Sequence, residues 1–112
     1  MMVYLASRWE KRKPTYDLAA FKAAFDDADK LNVTGTALRS AAALGFGREE
    51  IVATIRAMRR QHFYKSMTSH ADHRIWQDVY HVPSEIGTIY LKFTADMVSE
   101  FLLLSFKEKD ND

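Results

Sequence analysis

The spacing of apolar residues changes near the middle of the chain, from a helical period to a strand period. In the first half they recur every three or four residues, as on the buried face of a helix. This spacing predicts three helices, at residues 17–30, 34–44 and 47–60. Thr34 or Thr36 could cap the second helix, and Gly45 ends it. Glu49 and Glu50 lie in the first turn of the third helix, where the helix dipole favours acids.

The third helix has a predicted apolar face and a basic end. Its apolar face consists of Ile51, Val52, Ile55 and Met58. Arg56, Arg59 and Arg60 fall in its last turn, where the same dipole favours cations. The helix therefore accounts for this basic cluster, which by itself is only weak support for RNA binding.

In the second half of the chain, apolar and polar residues alternate, as on a half-buried strand. The predicted strands are residues 63–68, 75–82, 89–94 and 101–106, with a turn at residues 83–87. The last strand is almost entirely apolar, which predicts a central strand covered on both faces. Helices followed by strands predict an α+β fold, with N-terminal helices packed on a C-terminal antiparallel sheet. We expect a single domain over residues 1–112, with residues 1–9 as an edge strand or a flexible arm.

Composition narrows the class of protein. The chain has 112 residues, of which 47% are hydrophobic and 28% charged, and it contains no cysteine. Disulfides and thiolate metal sites are therefore excluded, and global disorder is not expected. Neither a secretory signal nor a membrane-spanning apolar run is visible, which fits a cytoplasmic protein. Residues 1–60 carry eleven Lys or Arg and seven Asp or Glu, whereas residues 61–112 carry five and eight; this asymmetry fits either an anionic partner or an ordinary solvated surface.

Long polar side chains interrupt the predicted strands, at Lys65, Gln77, Tyr90, Lys92 and Lys107. If they share one uncovered face, the lysines could offset phosphate charge while the phenol and the amide form directed hydrogen bonds. Such a patch suits a phosphodiester, and Tyr64 could stack on a base. Lys65 lies on the same side of its strand as Phe63 and Met67, so a local bend is needed to expose it.

Ordinary structural roles account for some of these residues equally well. A strand lysine such as Lys92 or Lys109 is usually a solvent-facing residue that discourages aggregation. Tyr64, Trp76 and Tyr80 are more often core residues than platforms for bases. Composition and spacing alone leave both interpretations open.

The histidines give a weak signal. His70 and His73 flank an acid in a predicted loop, and because no third ligand is obvious, a metal site is not expected. Each could instead be a satisfied loop residue or a base in RNA cleavage. His62 and His81 are interpreted as incidental. The chain has no phosphate-binding glycine loop, no nucleophile elbow and no paired catalytic carboxylates.

Four motifs in the strand half carry a resemblance to a known family. They are F-Y-K-S-M-T at Phe63–Thr68, D-H-x-I-W-Q-D-V-Y at Asp72–Tyr80, Y-L-K at Tyr90–Lys92 and S-F-K-E-K at Ser105–Lys109. In this order and spacing they resemble the MqsR family of motility quorum-sensing regulators, the toxins of type II toxin–antitoxin systems. The similarity covers residues 10–109 and is looser in the helical half. His70 and the turn that begins at His81 depart from the family's pattern.

The resemblance implies a small α+β fold like that of the RelE-type bacterial ribonucleases. It also implies a metal-independent endoribonuclease, without cofactors, that cuts mRNA at short GC-containing sites. Such a toxin inhibits translation and growth until its cognate antitoxin binds. The antitoxin would have a zinc-binding half and a DNA-binding half. We expect neither membrane association nor direct DNA binding for this chain.

The family's functional residues correspond here to Lys65, Gln77, Tyr90 and Lys107, which the resemblance implies are catalytic. Substrate binding is assigned to Tyr64, Met67, Lys92 and His73. In the expected reaction the 2′-hydroxyl attacks the adjacent phosphate, the two catalytic lysines stabilise the phosphorane, and Gln77 holds an oxygen or the substrate. Tyr90 is the candidate for proton transfer. A tyrosine is ordinarily protonated at neutral pH, so Tyr90 would act as a base only beside cations that favour its phenolate, and His70 or His73 could replace it.

Two other classes of function remain open from the sequence. One is a non-catalytic RNA-binding module that uses the same aromatic and basic surface. The other is a protein-interaction domain whose sheet edge or helix face docks a partner. The first would bind RNA without cutting it, whereas the second would show neither RNA affinity nor toxicity.

Overall fold

The computed structural model describes residues 9–97 and 99–110, and it is built around a five-stranded antiparallel sheet. Each strand pairs with its neighbour in the chain, so the order across the sheet is β1-β2-β3-β4-β5. The strands are β1 Glu10–Lys11, β2 Phe63–Thr68, β3 Trp76–Ser84, β4 Gly87–Asp96 and β5 Glu100–Glu108. The predicted α+β class is confirmed.

The helices begin where the sequence offers caps, and they are α1 Leu18–Ala24, α2 Gly35–Ala43 and α3 Arg48–Arg56. The Asp17 side chain accepts a hydrogen bond at the start of α1, and Thr34 does the same for α2. At α3 the Glu50 carboxylate accepts the N–H of Gly47 at 2.8 Å, as expected for a glutamate in the first turn. None of the described helices is long and apolar enough to cross a membrane.

Two helix boundaries differ from the prediction. The first helix ends at Ala24 rather than at residue 30, because the Asp27 side chain accepts the N–H of Asp29 and starts a separate 3-10 turn. The third helix ends at Arg56, so Arg59 and Arg60 do not lie in its last turn. They belong instead to a second 3-10 turn, and the dipole argument applies to Arg56 alone.

The helices pack on one face of the sheet and form the hydrophobic core there. Phe21 of α1 stacks on Phe93 of β4, with ring centroids 3.7 Å apart and planes 10° apart. Ile55 of α3 and Tyr80 of β3 are also fully buried in this cluster. Burial of these apolar side chains is the main force that holds helices and sheet together. Because the helices cover only this face, the opposite face of the sheet can carry polar side chains.

The apolar strand at residues 101–106 is the last strand of the sheet, so the prediction of a central strand is wrong. Its buried side chains are Phe101, Leu103 and Phe106. The segment of residues 32–34 runs along its outer edge, where the Thr34 N–H donates to the Leu103 carbonyl and the Leu103 N–H donates to the Asn32 carbonyl. The run is therefore apolar because one face packs on the core and the edge is covered, not because helices lie on both faces.

The connection between β3 and β4 is tighter than predicted. Strand β3 extends through Ser84, so only Glu85 and Ile86 separate the two strands. Gly87 has φ of +125°, a conformation that L side chains rarely adopt. The Ser84 hydroxyl donates to the Gly87 carbonyl at 2.6 Å and closes the turn. This short hairpin fixes the register of every pair between the two strands.

Residues 1–8, which include most of the predicted edge strand or arm, lie outside the described residues. An edge strand does form directly after them, where Glu10 and Lys11 pair with β2. The next residues cross to the helix-covered side, where the buried Asp78 carboxylate accepts the N–H groups of Thr15 and Tyr16 at 2.9–3.1 Å. These bonds attach the start of the chain to the middle of the sheet.

Candidate active site

Strand register gathers the candidate residues in rows on the open face of the sheet, which we define as the face opposite the helices. Directly paired residues of antiparallel strands point to the same face, as do residues two apart along one strand. The first row consists of His81, Tyr90 and Lys107. The second row consists of Lys65, Val79, Lys92 and Ser105, and the third of Met67, Gln77 and Thr94.

The first row forms the floor of a hollow, which we call the Tyr90 hollow. Its volume is 560 Å³, and it is lined by Tyr64, His81, Tyr90, Lys107, Lys109 and Asp110. The lining combines three flat rings with two ammonium groups and one carboxylate. Flat rings can stack on bases and ammonium groups attract phosphate, so the hollow suits a short piece of RNA.

A β-bulge brings Lys65 to the open face, as its predicted position required. Phe63 pairs with Tyr80 and points into the core, whereas Lys65 pairs with Val79, so the register shifts between Phe63 and Lys65. Tyr64 is the extra residue of the bulge, and 41% of it is exposed. A bulge re-aims the side chains that follow it, and here it separates the core residue from the lysine.

The Lys65 ammonium group is held by a carboxylate of the edge strand. Lys65 Nζ lies 2.7 Å from Glu10 Oε2, and only 17% of the Lys65 side chain is exposed. Glu10 sits on β1, directly opposite Met67, so the pair bridges the two strands at the rim of the open face. This geometry shows that Lys65 already holds one anionic group.

Cations lie over the aromatic rings of the open face. Lys107 Nζ is 5.2 Å from the centre of the Tyr90 ring, and Lys65 Nζ is 5.3 Å from that of Tyr64. The guanidinium carbon of Arg12 is 5.6 Å from the same Tyr64 ring. Because a cation over a ring face is attracted to its π electrons, these contacts hold several positive charges around the hollow.

The predicted site residues are spread over the open face rather than gathered at one point. Tyr90 and Lys107 line the hollow, and Lys65 and Lys92 occupy the second row. Gln77 lies four residues before His81 on β3, which corresponds to about 13 Å along a strand. It therefore lies at the other end of this face.

The substrate-binding candidates divide in the same way. Tyr64 lines the hollow, whereas Met67 is buried, with 3% exposed, and offers little surface to a ligand. Lys92 is half-buried in the second row, beside the fully buried Val79. The buried Val79 indicates that the alkyl stems of neighbouring side chains cover the centre of the open face.

The structure brings a different histidine to the site from the one predicted. His73 and His70 are exposed in the loop between β2 and β3, and neither lines the hollow. His81, interpreted as incidental, lies in the first row opposite Tyr90, and its ring stacks on Tyr64 with centroids 4.3 Å apart. The pairing of His81 with Tyr90 follows from counting residue pairs between β3 and β4 outward from their turn. That count requires knowing that the turn has two residues, which the sequence did not show.

The surroundings of His81 disfavour its charged form. Burial lowers the pKa of the imidazole, and the positive charges of Lys109 and Lys65 lower it further. The ring is consequently neutral at neutral pH and has a nitrogen lone pair available as an acceptor. Within residues 9–97 and 99–110, no group of three or more His, Asp or Glu side chains could hold a metal ion.

Comparison with known proteins gives two matches. Residues 13–108 match a family described as "Motility quorum-sensing regulator, toxin of MqsA". The chain is 39% identical over 100 residues to the mRNA interferase toxin MqsR of Escherichia coli (strain K12), an alignment that covers 89% of this chain and 99% of that protein.

Proposed function

The chain belongs to the motility quorum-sensing regulator family, the toxins of MqsA, and on this premise we propose that it is an endoribonuclease that cleaves mRNA. The observation that carries the proposal is the open face, where cations and aromatic rings surround the Tyr90 hollow. That surface has the chemistry needed to hold a single-stranded phosphodiester. The mRNA interferase name of the 39% identical relative supports the same activity.

The proposed reaction is a transesterification within the RNA. The 2′-hydroxyl attacks the adjacent phosphorus, a 2′,3′-cyclic phosphate forms, and the 5′-oxygen leaves with a proton. Lys65 and Lys107 stabilise the negative charge that develops on the phosphorane, as fixed cationic donors in a partly buried site can. The reaction needs no metal ion, because these side chains supply the charge.

The remaining residues bind and orient the RNA. Tyr64, half exposed beside the hollow, stacks on a base, and Lys92 in the second row contacts the backbone. Gln77 lies about 13 Å along β3 from the hollow, so it binds a nucleotide next to the scissile one rather than the reacting phosphate. Tyr90 is the proton-transfer group, and it lines the same hollow as Lys107.

The biological role follows from the family. We propose that the protein acts on mRNA in the cytoplasm, cuts at short GC-containing sites, and inhibits growth until a cognate antitoxin binds it. The family description names MqsA as the partner of these toxins. We expect the antitoxin to contain separate zinc-binding and DNA-binding halves. The zinc would then belong to the antitoxin.

The first test is cleavage of a defined RNA by purified protein in the presence of EDTA. We expect cuts at discrete sites, with a 2′,3′-cyclic phosphate on one fragment and a 5′-hydroxyl on the other. Cleavage that stops in EDTA would contradict metal independence. RNA that is bound but left intact would favour a non-catalytic RNA-binding module, and absence of both binding and cleavage would favour a protein-interaction domain.

The second test is substitution of the proposed phosphate-binding lysines. Lys65→Ala and Lys107→Ala should each lower the cleavage rate about 10²–10³-fold, because each removes one charge-stabilising donor. Lys30→Ala is the matched control, since Lys30 is an exposed lysine whose ion pair with Asp26 lies on the helical side of the chain. Wild-type rates in a folded Lys65→Ala protein would remove that residue from the mechanism.

A further inference from the structure

We propose that His81 is the catalytic base of this site, the group that accepts the proton of the attacking 2′-hydroxyl; this inference rests on the proposed ribonuclease function. No motif of the strand half contains His81, and its position became visible only through the strand register. The proposal assigns a proton acceptor to a mechanism in which the lysines and Tyr90 are protonated donors.

The geometry holds the His81 ring in place on the floor of the hollow. On one side the ring stacks on Tyr64, with centroids 4.3 Å apart and planes 23° apart. On the other side lies its direct cross-strand partner Tyr90, with ring centroids 6.0 Å apart. Because both neighbours belong to adjacent strands of one sheet, the imidazole and the Tyr90 phenol can reach the same phosphodiester. A base must lie within hydrogen-bond reach of the proton that it removes, and the hollow provides that place.

The charged groups around His81 come from several elements. Lys65 and the Tyr64 phenol lie on β2, and Lys107 on β5 shares the first row. Lys109 and Asp110, which follow β5, line the hollow beside it. Burial and the charges of Lys109 and Lys65 lower the pKa of His81, so the neutral, proton-accepting form predominates at neutral pH. This is the state that a general base needs before the reaction begins.

The proton balance of the step is complete with groups that the hollow contains. A neutral nitrogen of His81 takes the proton of the 2′-hydroxyl as the O2′–P bond forms. The P–O5′ bond then breaks, and the leaving 5′-oxygen takes a proton from the Tyr90 hydroxyl. His81 is left protonated and Tyr90 deprotonated, and exchange with water returns both groups to their starting states. Lys107, 5.2 Å from the Tyr90 ring centre, favours the phenolate that this step produces.

The other candidate bases fit less well. His70 and His73 are exposed in the loop beyond the third row and do not line the hollow. Tyr90 would have to lose its proton before the reaction, whereas His81 already carries a free lone pair at neutral pH. Among the histidines of the described residues, His81 alone lines the hollow, and it is therefore the best placed of them to act as the base.

The test is the pH dependence of single-turnover cleavage by His81→Gln, compared with wild type and with His62→Gln, a change in the 3-10 turn before β2. We expect the wild-type rate to fall at acidic pH, in a range below the ordinary histidine pKa of about 6.5, because burial and the nearby lysines lower the pKa of His81 and the base becomes protonated only there. His81→Gln should lose about 10²–10⁴-fold in rate at neutral pH and lose this acidic limb. His62→Gln should keep both the rate and the limb, because His62 does not line the hollow.

Two further measurements separate catalysis from binding and folding. RNA with a 2′-deoxy group at the cleavage site should bind His81→Gln within about twofold of wild type, and imidazole in solution should restore part of the rate of His81→Ala. An unchanged rate and acidic limb in His81→Gln would overturn the role of His81 and leave the ribonuclease function intact. A rate loss matched by lost affinity, without rescue, would also overturn it, and absence of cleavage by wild type would overturn both.

Discussion

The ion pair between Lys65 and Glu10 places a carboxylate where the proposed reaction needs a phosphate. Lys65 Nζ and Glu10 Oε2 are 2.7 Å apart, and Glu10 is carried by a strand of only two residues at the rim of the sheet. RNA must therefore replace this carboxylate before Lys65 can act on the phosphorane. In the free protein, Glu10 thus holds the Lys65 ammonium group in position and partly neutralises its charge.

Glu10→Gln should bind RNA more tightly than wild type. Removal of the competing carboxylate frees an interaction worth about 0.2–1 kcal/mol for a pair of this kind, which corresponds to a gain of about 1.4- to fivefold in affinity. Fluorescence anisotropy with a 2′-deoxy-substituted RNA measures this change without cleavage. Glu85→Gln, in the exposed β3–β4 turn, is the control and should leave the affinity unchanged. Weaker binding by Glu10→Gln would mean that Glu10 helps to hold RNA.

Asp78→Ala should destabilise the fold without touching the open face. The buried carboxylate accepts N–H groups from Thr15 and Tyr16, and its loss leaves these donors without their acceptor. We expect the free energy of unfolding to fall by about 3 kcal/mol, measured by urea denaturation. Glu85→Ala is a control for an exposed acid and should change stability by less than about 0.5 kcal/mol. Equal stability of the Asp78 variant and wild type would show that the bonds contribute nothing net.

At the scale of single elements, the bulge in β2 decides which face each side chain reaches. Strand alternation alone places Lys65 on the same face of β2 as Phe63. The sequence indicates that a bend is needed to expose Lys65, but it does not show at which residue the bend lies. The bend is the register shift at Tyr64. A one-residue shift moves the following side chains to the other face, so this single insertion separates the core from the proposed site.

Deletion of Tyr64 should be far more damaging than its truncation. Without the extra residue, either Lys65 points into the core or Phe63 points to solvent, so we expect the deletion variant to unfold or to lose most of its stability. Tyr64→Ala keeps the bulge and should fold, but it should bind RNA more weakly by about 1–3 kcal/mol through loss of stacking. Circular dichroism and RNA titration distinguish the two. A stable deletion variant with normal activity would show that the bulge is dispensable.

The predicted elements differ from the observed ones where side chains compete with the regular pattern. Of the two caps predicted for the second helix, Thr34 is the one observed, and the third helix begins next to Gly47, close to its predicted start. The first helix stops early because Asp27 bonds to the backbone nearby, a local competitor that apolar spacing does not reveal. The prediction that residues 101–106 form a central strand is wrong because apolar composition does not distinguish two cases. A central strand covered on both faces and a last strand whose outer edge is covered by another segment can have the same apolar sequence.

At the scale of the whole molecule, the candidate site depends on pairings between distant parts of the chain. Lys65 and Lys107 are brought to one face by three successive hairpin pairings, β2 to β3, β3 to β4 and β4 to β5. Sequence motifs identified Lys65, Tyr90 and Lys107 but not His81, since its role depends on what lies opposite it. Strand register, rather than residue type, determines which side chains lie next to one another at the site, and the sequence motifs do not give the register.

RNA affinity should depend on salt as expected for a few phosphate contacts. If Lys65, Lys92 and Lys107 each meet one phosphate, log affinity should fall against log salt concentration with a slope of about −2 for single-stranded RNA. Lys107→Ala should reduce the magnitude of the slope by about 0.7, whereas Lys30→Ala should leave it unchanged. A flat salt response in wild type would contradict the basic open face as the binding surface.

The covered outer edge of β5 has a consequence for how the protein behaves at high concentration. From Phe101 to Leu104 the strand's outward backbone groups are already bonded to Asn32 and Thr34. A second copy could therefore pair with this part of the strand only by displacing residues 32–34, which disfavours strand addition there. The part of β5 that is richest in phenylalanine and leucine is thus protected from edge-to-edge pairing while the protein stays folded.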